Sequence, residues 1–317
     1  MAQNQQLRPD RTVQGIVIIL ASVLTMAFAD AVVKLVSADL TIWQVFAARS
    51  LVAIPIMIAL ALATGVGLKL HTPVWALFRS VLLVLTWLFF YAALPVLTLS
   101  VAAVAVYTNP IITALLSAAL IGEPVTRREW GGVMLGFVGV IAILKPGTDA
   151  FSWFTLLPLM AAAFYSLAMV LTRRKCRQEA PLTLALTLHG AFLVTGLLVT
   201  VLLAMIGLDA ETRSSFPFLF GDWTSMGSRE WGLMALLGVL SAAYFVGVAR
   251  AYQIAAPSII ATFDYAYLVS AAVWGFVFFA EKPGLLTICG MVSITVAGLL
   301  VAIPASKKPP APDADPA

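Results

Sequence analysis

What constrains this chain most is the recurrence of apolar runs about 20 residues long, the length that crosses a bilayer as a helix. Inside a membrane the backbone has no water to bond, so only helices and closed barrels satisfy it. Barrel strands alternate in polarity and are about half as long, so unbroken runs select helices. Ten runs are read, at about 13–37, 42–64, 76–97, 100–121, 129–145, 152–172, 181–207, 230–253, 257–280 and 284–304. Of the 317 residues, 62% are hydrophobic and only 11% charged, where a soluble domain would hold about a quarter charged. The fold class predicted is all-α integral membrane. The net charge of +4 is scattered among short loops and gives no nucleic-acid signal. Cys176 and Cys289 are too few for a disulfide framework and read as packing residues.

The ten spans divide into halves that repeat. Residues 100–132 align without gaps on 258–290, and Ser100, Ala103, Tyr107, Ala114, Glu123 and Gly132 meet Ser258, Ala261, Tyr265, Ala272, Glu281 and Gly290. Six identities carry weight because each polar hinge, at Glu123 and at Glu281, lies between two membrane-length spans. The organisation predicted is a tail at 1–12, a first repeat at 13–145, a second at 152–304 and a proline-rich disordered tail at 305–317. Arg8, Arg11 and the apolar run from Gly15 imitate a secretory signal. The run resumes after Asp30 and continues to Val36, so the first span is expected to be retained.

Loop charges orient the chain. With the N-terminus inside, cytoplasmic segments hold Arg8, Arg11, Lys69, Arg127, Arg128, Arg173, Arg174, Lys175, Arg177, Lys307 and Lys308. The outer loops hold only Lys145, Arg213, Arg229 and Lys282. Both termini are therefore expected in the cytoplasm, with Glu123 facing in and Glu281 facing out. Five spans per half is an odd number, so the second repeat is inverted, the plan by which a central site opens alternately to each side. The long outer loop contains Phe216-Pro-Phe-Leu-Phe220, read either as a segment on the outer leaflet or as a patch packed on neighbouring loops.

Several motifs resemble the EamA-type branch of the drug/metabolite transporter superfamily. These are Tyr91-Ala-Ala-Leu-Pro-Val-Leu, Tyr107-Thr-Asn-Pro-Ile, Gly122-Glu-Pro-Val-Thr-Arg-Arg-Glu-Trp-Gly-Gly and Gly136-Phe-Val-Gly-Val-Ile in the first half. Arg250-Ala-Tyr-Gln-Ile-Ala-Ala-Pro-Ser and Ala280-Glu-Lys-Pro repeat the pattern in the second. The resemblance implies two inverted five-helix EamA repeats around a central cavity, in a bacterial inner-membrane carrier for small metabolites. Ala280 stands where the family pattern has glycine. The segments at Arg79-Ser-Val-Leu-Leu and Arg250-Ala-Tyr-Gln most resemble the subgroup of S-adenosylmethionine uptake carriers and riboflavin transporters.

An intramembrane charge is costly and is a functional candidate by default. Asp30 and Lys34 lie one helical turn apart and share a face. Arg49 lies roughly 10 Å below the outer surface at 1.5 Å per residue. These three form either a neutral structural cluster, with Asp30 paired to Lys34 or Arg49, or an outer gate. Arg250 and Asp264 sit on the inner side as the candidate inner gate. His189, opposite Arg49 when the second helices of the halves are aligned, is read as a hydrogen-bonded structural histidine or as a substrate ligand or proton relay. His71 is read as a surface residue. Trp43, Trp87, Tyr91, Tyr244 and Tyr267 offer stacking faces and hydroxyls, although such residues in membrane helices mostly sit at interfaces. Tyr107 and Tyr265 lie about seven residues inside their spans and are expected to line the cavity. Pro110 is expected to kink the fourth helix. Gly131, Gly132, Gly136 and Gly139 read as close helix packing, with a homodimer through them a further expectation.

Three classes compete. A secondary transporter accounts for the repeat and the buried charges. A membrane enzyme would need convergent catalytic groups, and the sequence has two distant histidines, two distant cysteines, no HExxH and no phosphate loop. A receptor or assembly protein would not need matched charges in both halves. The expectation is a non-enzymatic carrier without cofactor or metal, whose partners are a small-molecule substrate and the lipid bilayer. Without a nucleotide domain, transport would be facilitated or proton-coupled through Asp30, Asp264 or His189. The substrates expected first are riboflavin and S-adenosylmethionine, with export of amino acid-like metabolites or drugs as the alternative.

Overall fold

The computed structural model describes residues 12–109, 111–112, 115–116, 119, 127–144, 152–176, 178–254, 263 and 265–302, and among them there is no strand. The long helices are α1 (Thr12–Val36), α2 (Ile42–Thr64), α3 (Pro73–Ala93), α4 (Leu99–Val106) and α5 (Arg127–Leu144). They continue with α6 (Leu156–Lys175), α7 (Pro181–Ile206), α8 (Ser228–Ile254), α9 (Ala266–Phe279) and α10 (Leu285–Ala302). Six of them are long and apolar enough to cross a membrane, and the apolar stretches Trp130–Gly139, Ala266–Phe279 and Leu285–Ala297 are shorter. Their outward faces are as apolar as their buried ones: Leu62, Met205 and Leu285 are 79, 78 and 77% exposed. In water such a surface would aggregate; against lipid tails it is the expected finish.

Local chemistry sets the helix ends. Thr41 and Gln44 form a reciprocal capping box at the start of α2, each side chain accepting from the other's backbone N–H. Pro73 and Pro181 open α3 and α7, where a missing N–H costs nothing. Gly65 and Gly207 close α2 and α7 at φ +66° and +64°. Ala280, φ +53°, closes α9 in the same left-handed conformation without glycine's freedom.

The helices pack in matched pairs. α1 packs on α8 as α6 packs on α3, α1 on α9 as α6 on α4, and α2 on α8 as α7 on α3, while α2–α7, α4–α9 and α5–α10 also pack together. Small residues let these pairs approach. A Cβ on Gly196 of α7 would lie 2.6 Å from the Trp43 carbonyl of α2, and one on Gly139 of α5 would lie 2.9 Å from Ile294 of α10. Gly136 likewise faces Ile111 and Ala297.

Among the described residues, a turn interrupts helix at two matching places. Regular α4 ends at Val106 and turns at Tyr107 and Thr108, ahead of Pro110, which lies outside the described residues. Across from it, α9 begins only after a turn at Tyr265. Ser166 of α6 donates to the Asn109 carbonyl at 2.9 Å, satisfying backbone at the first break.

Three expectations are resolved by packing. Phe218 is 3% exposed within the core and the Trp43 indole donates to the Leu219 carbonyl at 2.8 Å, so the Phe216–Phe220 segment packs on its neighbours. Cys176 is buried, but Cys289 is exposed on α10 and is not a packing residue, because it falls on that helix's outward face. Tyr91, Tyr244 and Tyr267 are 0–1% exposed, so these rings are central rather than interfacial.

Candidate functional site

The central site is built on a carboxylate. Asp30, fully buried on α1, accepts from Tyr91 of α3 at 3.0 Å and from Tyr267 of α9 at 2.6 Å. The Tyr91 hydroxyl also accepts from Arg49 Nη1 of α2 at 3.1 Å. One phenol thus stands between the opposite charges, and both charges are held by a hydrogen bond, as burial demands. Arg49 is 1% exposed and clasped by aromatic rings, its Cζ lying 4.4 Å from the Phe192 centroid, 5.1 Å from Phe46 and 5.4 Å from Tyr91. His189 of α7, fully buried, shares a 3.1 Å hydrogen bond between Nδ1 and Ser50 Oγ. Its other nitrogen, Nε2, has no hydrogen-bond partner among the described residues, nor have Arg49 Nε and Nη2 or Trp87 Nε1.

The broken helices join this cluster. Tyr107 and Tyr265 meet across the bundle with centroids 5.8 Å apart, and Tyr107 stacks on Tyr267 at 4.9 Å and 17°. Tyr267 therefore connects the α4 break to Asp30. Under the alignment that matches Tyr107 with Tyr265, Tyr267 corresponds to Asn109. Asp30 accepts from the Tyr267 hydroxyl and Ser166 donates to the Asn109 carbonyl, so each aligned position meets the first helix of the opposite half, one by a side chain and the other by backbone.

Lys34 turns away from Asp30. Its Nζ pairs with Glu281 Oε1 at 2.6 Å, donates to the Leu97 carbonyl and lies 5.1 Å from the Phe279 ring centroid. The other Glu281 oxygen accepts from Leu99 N at 2.8 Å, at the first residue of α4, where no carbonyl of that helix can reach. The hinge glutamate is thus a latch joining α1, the α3–α4 turn and the α9–α10 turn. Nearby, Gln44 Nε2 donates to the Thr224 carbonyl at 2.7 Å and closes the α7–α8 loop over the same end.

The opposite end has its own clasp. Glu179, between α6 and α7, accepts from His71 N at 2.8 Å, from Thr72 N and from Thr72 Oγ1 at 2.8 Å. The His71 ring lies 3.5 Å from its second oxygen. Burial alone would raise the Glu179 carboxyl, but the bonds from Thr72 and His71 outweigh it and hold it below its ordinary value. Sequence reasoning passed over Glu179, whereas His71 is the surface residue expected, its side chain 50% exposed beside that carboxylate. Arg250 is exposed near the end of α8. Asp264, its expected partner, and Glu123, the first hinge, lie outside the described residues. Tyr91 and Tyr267, which hold Asp30, were legible only as aromatic positions.

Membrane-length helices packed around a buried carboxylate and guanidinium define the class: this is a multi-pass membrane protein. Comparison with known proteins agrees. Residues 13–145 match the model of the EamA-like transporter family. Over 296 residues the chain is 27% identical to the pseudopaline exporter CntI of Pseudomonas aeruginosa, covering 93% of this chain and 97% of that one. It is 24% identical over 291 residues to an S-adenosylmethionine uptake transporter of Rickettsia prowazekii, covering 90% and 92%. It is 26% identical over 268 residues to a riboflavin transporter of Rhizobium johnstonii, covering 84% and 80%. A protein crystal structure with 18% identity superposes with a TM-score of 0.62 over 92% of this chain and 97% of that one, a likeness of fold.

Proposed function

We propose that this chain is a secondary transporter that carries a small organic metabolite across a bacterial inner membrane by alternating access. The observation that carries the reading is the Asp30–Tyr91–Arg49 cluster. It is sealed from solvent and contributed by α1, α2 and α3, with Tyr267 of α9 closing it from the other half. Charges are kept in such a place at a cost, and a transported solute gives them a use. The matched helix pairs support two inverted repeats of five spans, at 13–145 and 152–304. In that arrangement the Lys34–Glu281 latch is the outer seal and the Glu179 clasp belongs to the cytoplasmic end, an orientation that the positive loops support. Relatives named for uptake and for export both match, so the mechanism is shared while direction belongs to the particular carrier. S-adenosylmethionine uptake and riboflavin uptake are the first substrates to test, with export of amino acid-like metabolites behind them.

The test is counterflow of labelled S-adenosylmethionine and riboflavin in sealed liposomes containing the purified protein, with Asp30→Asn and Arg49→Ala beside it. Saturable exchange of a solute, reduced at least about 30-fold in Asp30→Asn, is expected, since a buried charged hydrogen-bond network is lost. Chemical conversion of a solute without movement across the bilayer would replace the transport reading with a membrane enzyme.

A further inference from the structure

Building on the transport reading, we infer that the site selects solutes bearing a carboxylate together with a cationic group, and that Arg49 receives the carboxylate. The direction of Arg49's free edge carries this. Nη1 is taken by Tyr91, whereas Nε and Nη2 have no partner among the described residues although the side chain is 1% exposed. Those two N–H groups point the same way in parallel, and they form the fork that grips a planar carboxylate through two bonds. Phe46, Phe192 and Tyr91 surround the group and exclude water from it. A guanidinium kept dry with its bidentate edge unused by protein is a costly arrangement. A substrate oxyanion removes that cost.

Two further polar atoms lie within the same shell of rings. His189 flanks Phe192 at 5.9 Å and Phe245 at 5.7 Å, and Trp87 lies 6.1 Å from Phe245. His189 Nε2 and Trp87 Nε1 are both buried without a partner among the described residues. In the tautomer in which Ser50 donates to Nδ1, Nε2 carries the proton, and it and Trp87 Nε1 are then both donors suited to an acceptor-rich solute.

Charge balance decides the rest. Asp30 already offsets Arg49, so a lone carboxylate would leave the sealed cluster net negative, and a phosphate monoester more so. A zwitterionic solute leaves the balance intact, and the faces of Trp87 and Tyr244 can hold its cation. S-adenosylmethionine carries the carboxylate with two cations, an ammonium and a sulfonium, so it meets the requirement for both groups and brings one positive charge more than it needs. Riboflavin, which lacks both groups, does not meet it.

The experiment uses the full chain with three probes: S-adenosylmethionine, its carboxyl methyl ester and riboflavin. Thermal stabilisation of the purified protein reads binding, and counterflow in liposomes reads movement. Stabilisation by the acid is expected, with the ester weaker by about 30-fold in apparent affinity, the effect of losing a charged bidentate pair. Arg49→Lys keeps the charge but loses the fork, so the acid weakens about tenfold and the acid-to-ester ratio shrinks. The acid and ester comparison on the unmutated protein needs no variant to fold. If riboflavin or the ester matches the acid, or if the acid has no effect, the carboxylate assignment is overturned. If the acid binds selectively and nothing moves, the assignment stands and the transport reading falls.

Discussion

Replacing Lys34 with methionine tests whether the latch holds the Glu281 end of the bundle closed. Lys34 and Glu281 are only 12% and 11% exposed, so the pair is little screened by solvent. Removing one member of a buried pair costs about 3–5 kcal/mol, because the remaining charge is stranded. Here Glu281 keeps its bond from Leu99 N, which argues for the lower end, about 3 kcal/mol. At about 1.4 kcal/mol per factor of ten, the closed arrangement becomes roughly 100-fold less favoured. The Leu99 amide reports this directly: as the first residue of α4, it has Glu281 as its partner and no carbonyl of its own helix. Its hydrogen exchange, resolved by fragmentation mass spectrometry, should quicken by about 100-fold in Lys34→Met, while the Val45 amide, held by Thr41 within α2, stays as it was. Adding Glu281→Gln removes the stranded charge, so the double variant should be less destabilised than Lys34→Met. A Leu99 exchange rate within about threefold of the original protein would refute the reasoning, since a closed state held by the pair cannot lose it at so little cost.

Three further outcomes follow from local geometry. Ala280→Gly should stabilise the protein by about 1 kcal/mol, seen as a rise of about 2 °C in melting temperature, because φ +53° strains a residue with a Cβ. Gly196→Ala should destabilise by about 2 kcal/mol, since its Cβ meets backbone of α2 that cannot step aside, whereas Gly190→Ala, with nothing within 4 Å, should be neutral or better on the same melting assay. Glu179 adds a pH dependence. Its folded-state pKa is lowered, so its contribution is fully present above the ordinary value of 4.5 and fades as pH falls below it. Glu179→Gln should flatten the melting-temperature profile below pH 4.5, and an unchanged profile would show that the clasp carries no such linkage.

The helices were legible because lipid imposes one length on every span, and the structure places them close to the expected positions. α3 starts earlier than expected, at Pro73, a residue suited to a helix's first turn, and the fourth span is interrupted after Val106 by a turn at Tyr107 and Thr108 before helix resumes at Asn109. The site was legible as a set of charged residues and much less as a set of bonds. Asp30 and Lys34 do share a face, yet one turn of helix separates a residue reached by Tyr91 and Tyr267 from one reached by Glu281. Which of those partners arrives depends on α3, α9 and the α9–α10 turn, none of them near α1 in sequence. The repeat held more than its identities suggested. Tyr267 aligns with Asn109, a pair with no chemical likeness, and both meet the first helix of the opposite half, Tyr267 through its hydroxyl at Asp30 and Asn109 through its backbone carbonyl at Ser166. The packing of the two halves is thus alike at this contact, while the charge there lies on α1. That asymmetry puts the carboxylate of α1 beside the guanidinium of α2, which gives the Arg49 fork its balanced and sealed surroundings.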